Sequence, residues 1–273
     1  MRTPVARRAL FDLGCRLKIA TFNINNINKR LPNLLAWLKR SKPDIACLQE
    51  LKCETNAFPE STLANAGYSA VWEGQKSWNG VAILSRDAPP VVTRRALPGD
   101  PDDHQARYIE AAISGILVAS IYMPNGNPQP GPKFDYKLSW MARFARHAAA
   151  LKRQGVPVVF AGDYNVAPTE ADIYPTKSWK KDALVQPAPR EAFAKLIRNG
   201  WIDSIRSTNP DKRIYTFWTY WRDRYEQDHG LRLDHLLLSE QLSRRLLKGG
   251  VDRRIRGLEN ASDHAPVWIE LSD

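Results

Sequence analysis

An α/β fold with mixed β-sheets is what this 273-residue sequence predicts, and three observations carry the expectation. Short strand-like apolar runs recur along the whole chain. Helical patterns lie between only some of them. Consecutive strands, through residues 80–113 and on into 116–122, have no helix between them, whereas a purely doubly wound parallel sheet needs one at each crossover.

The elements follow in order. Strand-like runs fall at residues 17–24, 44–49, 80–84, 108–113, 116–122, 156–161, 233–238 and 265–271. A helix is expected over 31–40, where apolar residues return at helical spacing. The clearer one is 133–154, with Phe134, Leu138, Met141, Ala145, Ala148 and Leu151 on one face and Gly155 as its stop. Residues 124–132, PNGNPQPGP, read as a loop, and so does the polar, aromatic-rich stretch 207–231. Apolar strands continue on both sides of each loop, so neither is a linker, and residues 17–273 are expected to form one domain. The basic residues 1–16 contain an apolar stretch that is too short for a secretory signal and is interrupted by Asp12. They are expected to be a disordered extension, with an organelle transit peptide as the lesser alternative.

Composition narrows the partners. With 43% hydrophobic residues the chain can bury a substantial core. Lys and Arg outnumber Asp and Glu by 40 to 29, a formal charge of +11, which favours polyanions, chiefly nucleic acid or an anionic membrane surface. No apolar run approaches the roughly 18 residues of a membrane span, so no membrane partner is expected. Cys15, Cys47 and Cys53 are an odd number without CxxC spacing, which indicates neither a disulfide framework nor a zinc site. An intracellular, DNA-containing compartment fits this best, with the chain as a monomer.

Chemically capable residues gather at strand ends. Asn23 and Asn25 close KIATFNIN, Glu50 closes DIACLQE, and Tyr122 closes ILVASIY. Asp163 and Asn165 follow VPVVFAG, Asp234 lies in RLDHLLL, and Asp263 and His264 precede APVWIEL. Singly, each has an ordinary explanation as a turn, cap or core residue. Six strand ends so equipped point instead to a site, because a strand aims its last side chain while the loop leaves room. Carboxylates and amides without cysteine describe a hard-oxygen cation site suited to Mg²⁺ or Mn²⁺. There is no GxxxxGK(S/T) or GxGxxG loop, and metal-assisted hydrolysis of a phosphate ester is the chemistry that remains.

The ordered motifs FNIN (22–25), LQELK (48–52), NGVAILS (79–85), QAR (105–107), YMPNG (122–126), GDYNVAP (162–168), RLDHLLLS (232–239) and SDHAPV (262–267) resemble the exonuclease III family of abasic-site endonucleases. The family lies within the endonuclease/exonuclease/phosphatase superfamily. The resemblance covers residues 17–271 and is specific as a set. It implies a four-layered α/β sandwich, two packed mixed β-sheets flanked by helices. By matching motif it implies Glu50 as principal Mg²⁺ ligand with Asn23 and Asp263, and Mn²⁺ able to substitute. Asp163 and Asn165 would position or deprotonate the attacking water, and Tyr122 would contact the scissile phosphate. His264 would hydrogen-bond that phosphate, with Asp234 holding its other nitrogen. Adjacent residues entering a strand point to opposite faces, so Asp263 and His264 should face different partners. Asn25, Lys52, Arg107, Trp218 and Arg222 are the expected substrate contacts, Trp218 by its match to an aromatic that lines the family's abasic pocket. Leu51 departs from the small polar residue of many relatives.

The resemblance implies a Mg²⁺-dependent DNA repair nuclease cutting 5′ to abasic sites in duplex DNA, with 3′-5′ exonuclease and 3′ end-cleaning activity. A superfamily phosphodiesterase acting on phosphoinositide or sphingomyelin would keep the same metal core, but +11 charge favours DNA. A catalytically silent DNA-binding relative would have no reason to retain the complete polar set. In residues 213–234, Tyr215, Phe217, Trp218, Tyr220, Trp221 and Tyr225 alternate with arginines, as suits a surface that stacks on sugars or bases and neutralises phosphates.

Overall fold

The computed structural model describes residues 16–272. The extension expected over residues 1–16 therefore lies outside the described residues, apart from Arg16, which opens the first strand.

Twelve strands form two sheets on a common plan. The first sheet holds β1 (Arg16–Asn23), β2 (Ile45–Gln49), β3 (Ser69–Glu73), β4 (Val81–Ser85), β11 (Leu246–Val251) and β12 (Val267–Ser272), in the order β11-β12-β1-β2-β4-β3. The second holds β5 (Val91–Arg94), β6 (Tyr108–Ile113), β7 (Ile116–Tyr122), β8 (Val158–Asp163), β9 (Ile202–Asp203) and β10 (Asp234–Leu238), in the order β5-β6-β7-β8-β10-β9. Each sheet contains one parallel pair, β1–β2 and β7–β8. Helix α1 (Leu31–Ser41) bridges the first pair and, after the short α2 (Glu60–Asn65) that precedes β3, α3 (Pro132–Gln154) bridges the second, as parallel neighbours require a crossover. Every other pairing is antiparallel. The four-layered sandwich of mixed sheets and flanking helices is thus present.

Three apolar layers hold the four structural layers together. Ile19, Cys47, Val81, Val118, Val159 and Leu236 belong to the one between the sheets. Trp140, Phe144, Phe160 and Leu237 join α3 to the second sheet, and Phe22, Trp37, Leu38 and Leu48 join α1 to the first. Strands buried on both faces read as continuous apolar runs, which is why they are easily seen in the sequence.

Period two along these strands carries the chemistry. The residues facing the other sheet run Ile19, Thr21, Asn23 in β1, Val118, Ser120, Tyr122 in β7, Val159, Ala161, Asp163 in β8, and Leu238, Leu236, Asp234 in β10. The inter-sheet space therefore turns from apolar to polar towards one edge. At the transition the Gln49 amide donates to Ser120 Oγ at 3.0 Å and accepts from Thr21 Oγ1 at 3.1 Å, linking the two sheets.

The structure adds elements to those expected from the sequence. β3, β5 and β11 are partly exposed strands at or beside sheet margins, so they lack the buried apolar runs of the centre. Helix α4 (Pro187–Arg198) buries only Pro189, Phe193 and Leu196. The last strand begins at Val267 rather than 265, because Ala265 N donates to Thr216 O in the neighbouring loop. β8 extends to Asp163, which places that carboxylate on the strand itself, paired in register with Tyr122 and with Asp234.

Candidate active site

The polar edge brings the expected residues together. Glu50, Asp163 and His264 each turn a polar atom into one space, all within 4.8 Å of one another. Asn23 braces the carboxylates, its amide donating to Glu50 Oε1 at 2.8 Å and to Asp163 Oδ2 at 2.9 Å. Its oxygen accepts from Asn25 N at 3.1 Å. Asn23, expected beside the metal, thus offers its amide N–H groups to the carboxylates while its oxygen accepts from the backbone.

Asp263 and His264 diverge as the strand geometry requires. His264 Nδ1 pairs with Asp234 Oδ2 at 2.8 Å, while Asp263 Oδ1 accepts from Asn25 Nδ2 at 2.8 Å. Ser262 fixes their approach, donating from Oγ to Asn23 O and accepting from His264 N. His264 is fully enclosed, which by itself would discharge the ring. Asp234 and then Asp163, whose Oδ2 lies 3.8 Å from Nε2, overcome burial and raise its pKa to about 10. A protonated imidazole has no lone pair for a metal, so in this state His264 offers an N–H and the carboxylates offer the oxygens.

Glu50 is disfavoured as an anion by burial, but Lys52 at 2.8 Å and the Asn23 amide hold its pKa below the ordinary value. Burial, with Glu50 and Asp163 adding to it, raises the Tyr122 phenol well above its usual range, so it remains a donor. Arg107 lies 4.8 Å over the Tyr122 ring and donates to its carbonyl. Asp163 accepts from Asn165 N at 2.8 Å, yet burial, with Asp234 and Glu50 nearby, raises its pKa to about 7. A group of that pKa is suited to take a proton from water near neutral pH. Glu50, Lys52, Asn25 and Asn165 all have φ between 47° and 52°, a left-handed backbone that is costly for Glu and Lys and is typical of functional turns.

One contributor was not singled out in the sequence. Lys137, fully buried on α3, donates to the carbonyls of Asn125 (2.9 Å) and Asn165 (2.6 Å), joining the loops after β7 and β8. Gly126 makes room, because a Cβ there would press on the Lys137 side chain. Burial lowers the Lys137 pKa to about 7, against the pull of Asp163 and Asp182. The charged residue five positions into a helix was the available signal. Phe217, named from the sequence only as one of six loop aromatics, has its ring centroid 4.9 Å from that of His264.

Trp218 is corrected. Its ring is 1% exposed, packed with Tyr215 and Ala265, edge-on to Tyr225, and its Nε1 donates to Asp228. A sealed ring has no free face for a sugar, and Phe217, one residue earlier, turns to the site instead. Arg222 stands on the exposed tip of the same loop, in a cleft of about 420 Å³ with Trp179, Trp221 and Arg224, and does not reach the carboxylates.

Buried carboxylates, an imidazolium and a phenol at the meeting edge of two sheets define a phosphodiester-hydrolysing site. The chain matches the endonuclease/exonuclease/phosphatase family over residues 20–264. Exodeoxyribonuclease III of Haemophilus influenzae is 33% identical over 93% of this chain and 100% of its own. A solved 3′ phosphatase, NExo from Neisseria, bound to product DNA hairpin, is 37% identical with a TM-score of 0.90, covering 94% of this chain and 100% of that one. An AP endonuclease from Archaeoglobus fulgidus, covering 94% and 99%, is 37% identical with a TM-score of 0.89. The chain belongs to the endonuclease/exonuclease/phosphatase family, and within it to the exonuclease III group its motifs resemble. It is a nuclease.

The raised Asp163 pKa has a consequence for stability. An unfolded Asp ionises near pH 4, whereas Asp163 in the fold does so near 7, so folding loses stability as pH rises between those values. In cation-free buffer Asp163→Asn is expected to melt about 2–8 °C above the parent at pH 8, with the gain vanishing towards pH 4, while nuclease activity is lost. Thermal melts across that pH range decide it, and an equal or lower melting temperature at pH 8 contradicts the assignment.

Proposed function

We propose that this chain is a Mg²⁺-dependent DNA repair nuclease that hydrolyses the phosphodiester 5′ to abasic sites, with 3′-5′ exonuclease and 3′ end-cleaning activity. The single observation that carries the reading is the enclosed cluster of Glu50, Asp163 and His264, with His264 backed by Asp234. Its relatives include an exodeoxyribonuclease, a 3′ phosphatase bound to DNA and an AP endonuclease. Among the described residues no helix is long and apolar enough to cross a membrane.

The residues divide the work. Glu50 and Asp263 would hold the cation, an all-oxygen set that leaves places for water and phosphate, as Mg²⁺ prefers; Mn²⁺ would substitute. When bound, Mg²⁺ supplies positive charge against the phosphate. Asp163, held by Asn165 N–H and the Asn23 amide, orients the attacking water and accepts its proton. His264 presents a charged N–H and Tyr122 a phenolic O–H to the phosphate oxygens, where negative charge develops in the transition state. Asp234 keeps the imidazole charged. Lys52 and Arg107 add positive charge at the entrance. An abasic nucleotide has no base to unstack, so it flips out at lower cost, and Phe217 offers a ring beside His264 for the bare sugar.

Incubating the protein with a duplex carrying one abasic analogue, with Mg²⁺ or with EDTA, tests the whole. Cleavage 5′ to the lesion in Mg²⁺ alone is expected. Glu50→Gln should lose more than the roughly 10–100-fold typical of residues behind a metal ligand while remaining folded. Normal turnover by Glu50→Gln, full activity in EDTA, or faster hydrolysis of a phosphoinositide than of DNA would each end this reading.

The two neighbouring aromatics should behave in opposite ways. Trp218→Ala removes a sealed core ring and is expected to cost about 3–5 kcal/mol of stability. Phe217→Ala should leave the melting temperature nearly unchanged yet narrow the preference for abasic over intact duplex by about 10–100-fold, consistent with roughly 1–3 kcal/mol of stacking. Cleavage rates on both duplexes, measured beside thermal melts, separate the two roles.

A further inference from the structure

The loop 209–233 reaches the site through Phe217, but a second residue ties it there more tightly. The Tyr220 ring is half exposed, while its hydroxyl sits at a junction of three segments. The oxygen accepts from Arg30 Nη2 at 2.9 Å and from Asn25 Nδ2 at 3.3 Å, both in the β1–α1 connection. It donates to Ala261 O at 2.9 Å, two residues before Asp263. A phenolic oxygen donates one hydrogen bond and accepts two, so its capacity is fully used. Arg256 lies 4.8 Å over the ring and donates to the Trp218 carbonyl, which steadies the loop behind it.

Two of the three joined segments lead directly to the cation site. Asn25 donates to Asp263 Oδ1, and its oxygen accepts from Lys52 Nζ at 2.7 Å, the same ammonium that pairs with Glu50. Arg30 also donates to the Asn25 carbonyl. The third segment leads outward, because the next residue, Trp221, is 74% exposed. Arg222 and Arg224 line the cleft beside it, which suits a surface for a phosphate backbone.

We propose that Tyr220 is a positioning residue that couples the DNA-facing loop to the cation site, so that DNA held against the loop tightens cation binding and the cation tightens DNA binding. This rests on the nuclease reading above and adds to it a linkage between its two ligands. Such coupling is reciprocal by thermodynamic necessity and commonly amounts to about 5–150-fold. It requires no large movement. The loop has only to hold the hydroxyl where Asn25 and Ala261 meet it, which fixes Asp263 relative to Glu50.

The test measures Mn²⁺ binding by the full chain from its free-ion resonance signal, with and without a short phosphorothioate duplex containing a tetrahydrofuran abasic analogue. In the parent, Mn²⁺ affinity should rise at least about fivefold when the duplex is present. Tyr220→Phe, which keeps the ring and removes only the oxygen, should reduce that rise to less than twofold with an unchanged melting temperature. Trp221→Ala serves as the comparison, since it alters the same loop outside the junction. It should weaken binding of the duplex but leave Mn²⁺ affinity of the DNA-free protein at the parent value. A parent-like rise in Tyr220→Phe overturns the inference and leaves the nuclease reading standing. A parent that binds no Mn²⁺ in either condition overturns both, and a Trp221→Ala variant that loses Mn²⁺ affinity without DNA shows that the whole loop, not the Tyr220 hydroxyl, supports the site.

Discussion

Asp163, Glu50 and Asp234 bring three carboxylates together at the meeting edge of the sheets, where burial and the neighbouring carboxylates disfavour the ionised form of Asp163. For Asp163 burial and its carboxylate neighbours outweigh the pull of His264 and lift the pKa to about 7. The surrounding architecture offsets part of the penalty. His264 stands between Asp234 and Asp163 at 2.8 and 3.8 Å, Lys52 pairs with Glu50, and Asn23 donates to two of the three. Neither sheet supplies this set alone. Asn23 and Glu50 come from the parallel pair of one sheet, Tyr122 and Asp163 from that of the other. The packing of the two sheets is therefore what creates the site, and their apolar interface sets its geometry.

The structure stores part of the cost in the backbone as well. Glu50 and Lys52 flank Leu51 in left-handed conformations, which L-residues with long side chains avoid. Leu51 is sunk in the apolar layer under α1 and donates its N–H to Gly80 O. A buried leucine is a firmer anchor than a small polar residue would be, and it holds the turn so that both charged neighbours rise to the same side. The departure at Leu51 thus supports the metal carboxylate through packing rather than touching it.

How far the sequence revealed this depends on the kind of constraint. Central strands are buried on both faces, so β6 and β7 are readable to the residue, and the period-two series of β7 ends visibly in Tyr122. Strand alternation separates His264 from Asp263, the resemblance supplies Asp234 as its partner, and that pair is realised at 2.8 Å. Loops obey no such period. In residues 213–234 the choice between Phe217 and Trp218 depends on a one-residue question of which ring faces inward. That is settled by Phe217 bridging both Leu231 and His264 while Trp218 N turns to Asp263 O. Lys137 was hidden for a related reason, since a lysine in an amphipathic helix ordinarily marks the solvent face. Here it points inward because two loop carbonyls await it.

This division between strands and loops bears on where specificity must reside. The strand ends provide a general device for attacking a phosphodiester, and nothing in Glu50, Asp163 or His264 distinguishes an abasic nucleotide from any other. Discrimination would need groups that meet the sugar and its neighbours, and the loops place rings beside the site: Phe217 next to His264, Trp78 with Lys52 5.4 Å from its ring, and Trp179 edge-on to Phe217. Each of these rings touches a residue that itself touches the carboxylate cluster or its cationic partners. Substrate choice and catalytic power are therefore mechanically adjacent, and a loop substitution that alters which DNA end or lesion is accepted will also shift the groups that hold the charges in place.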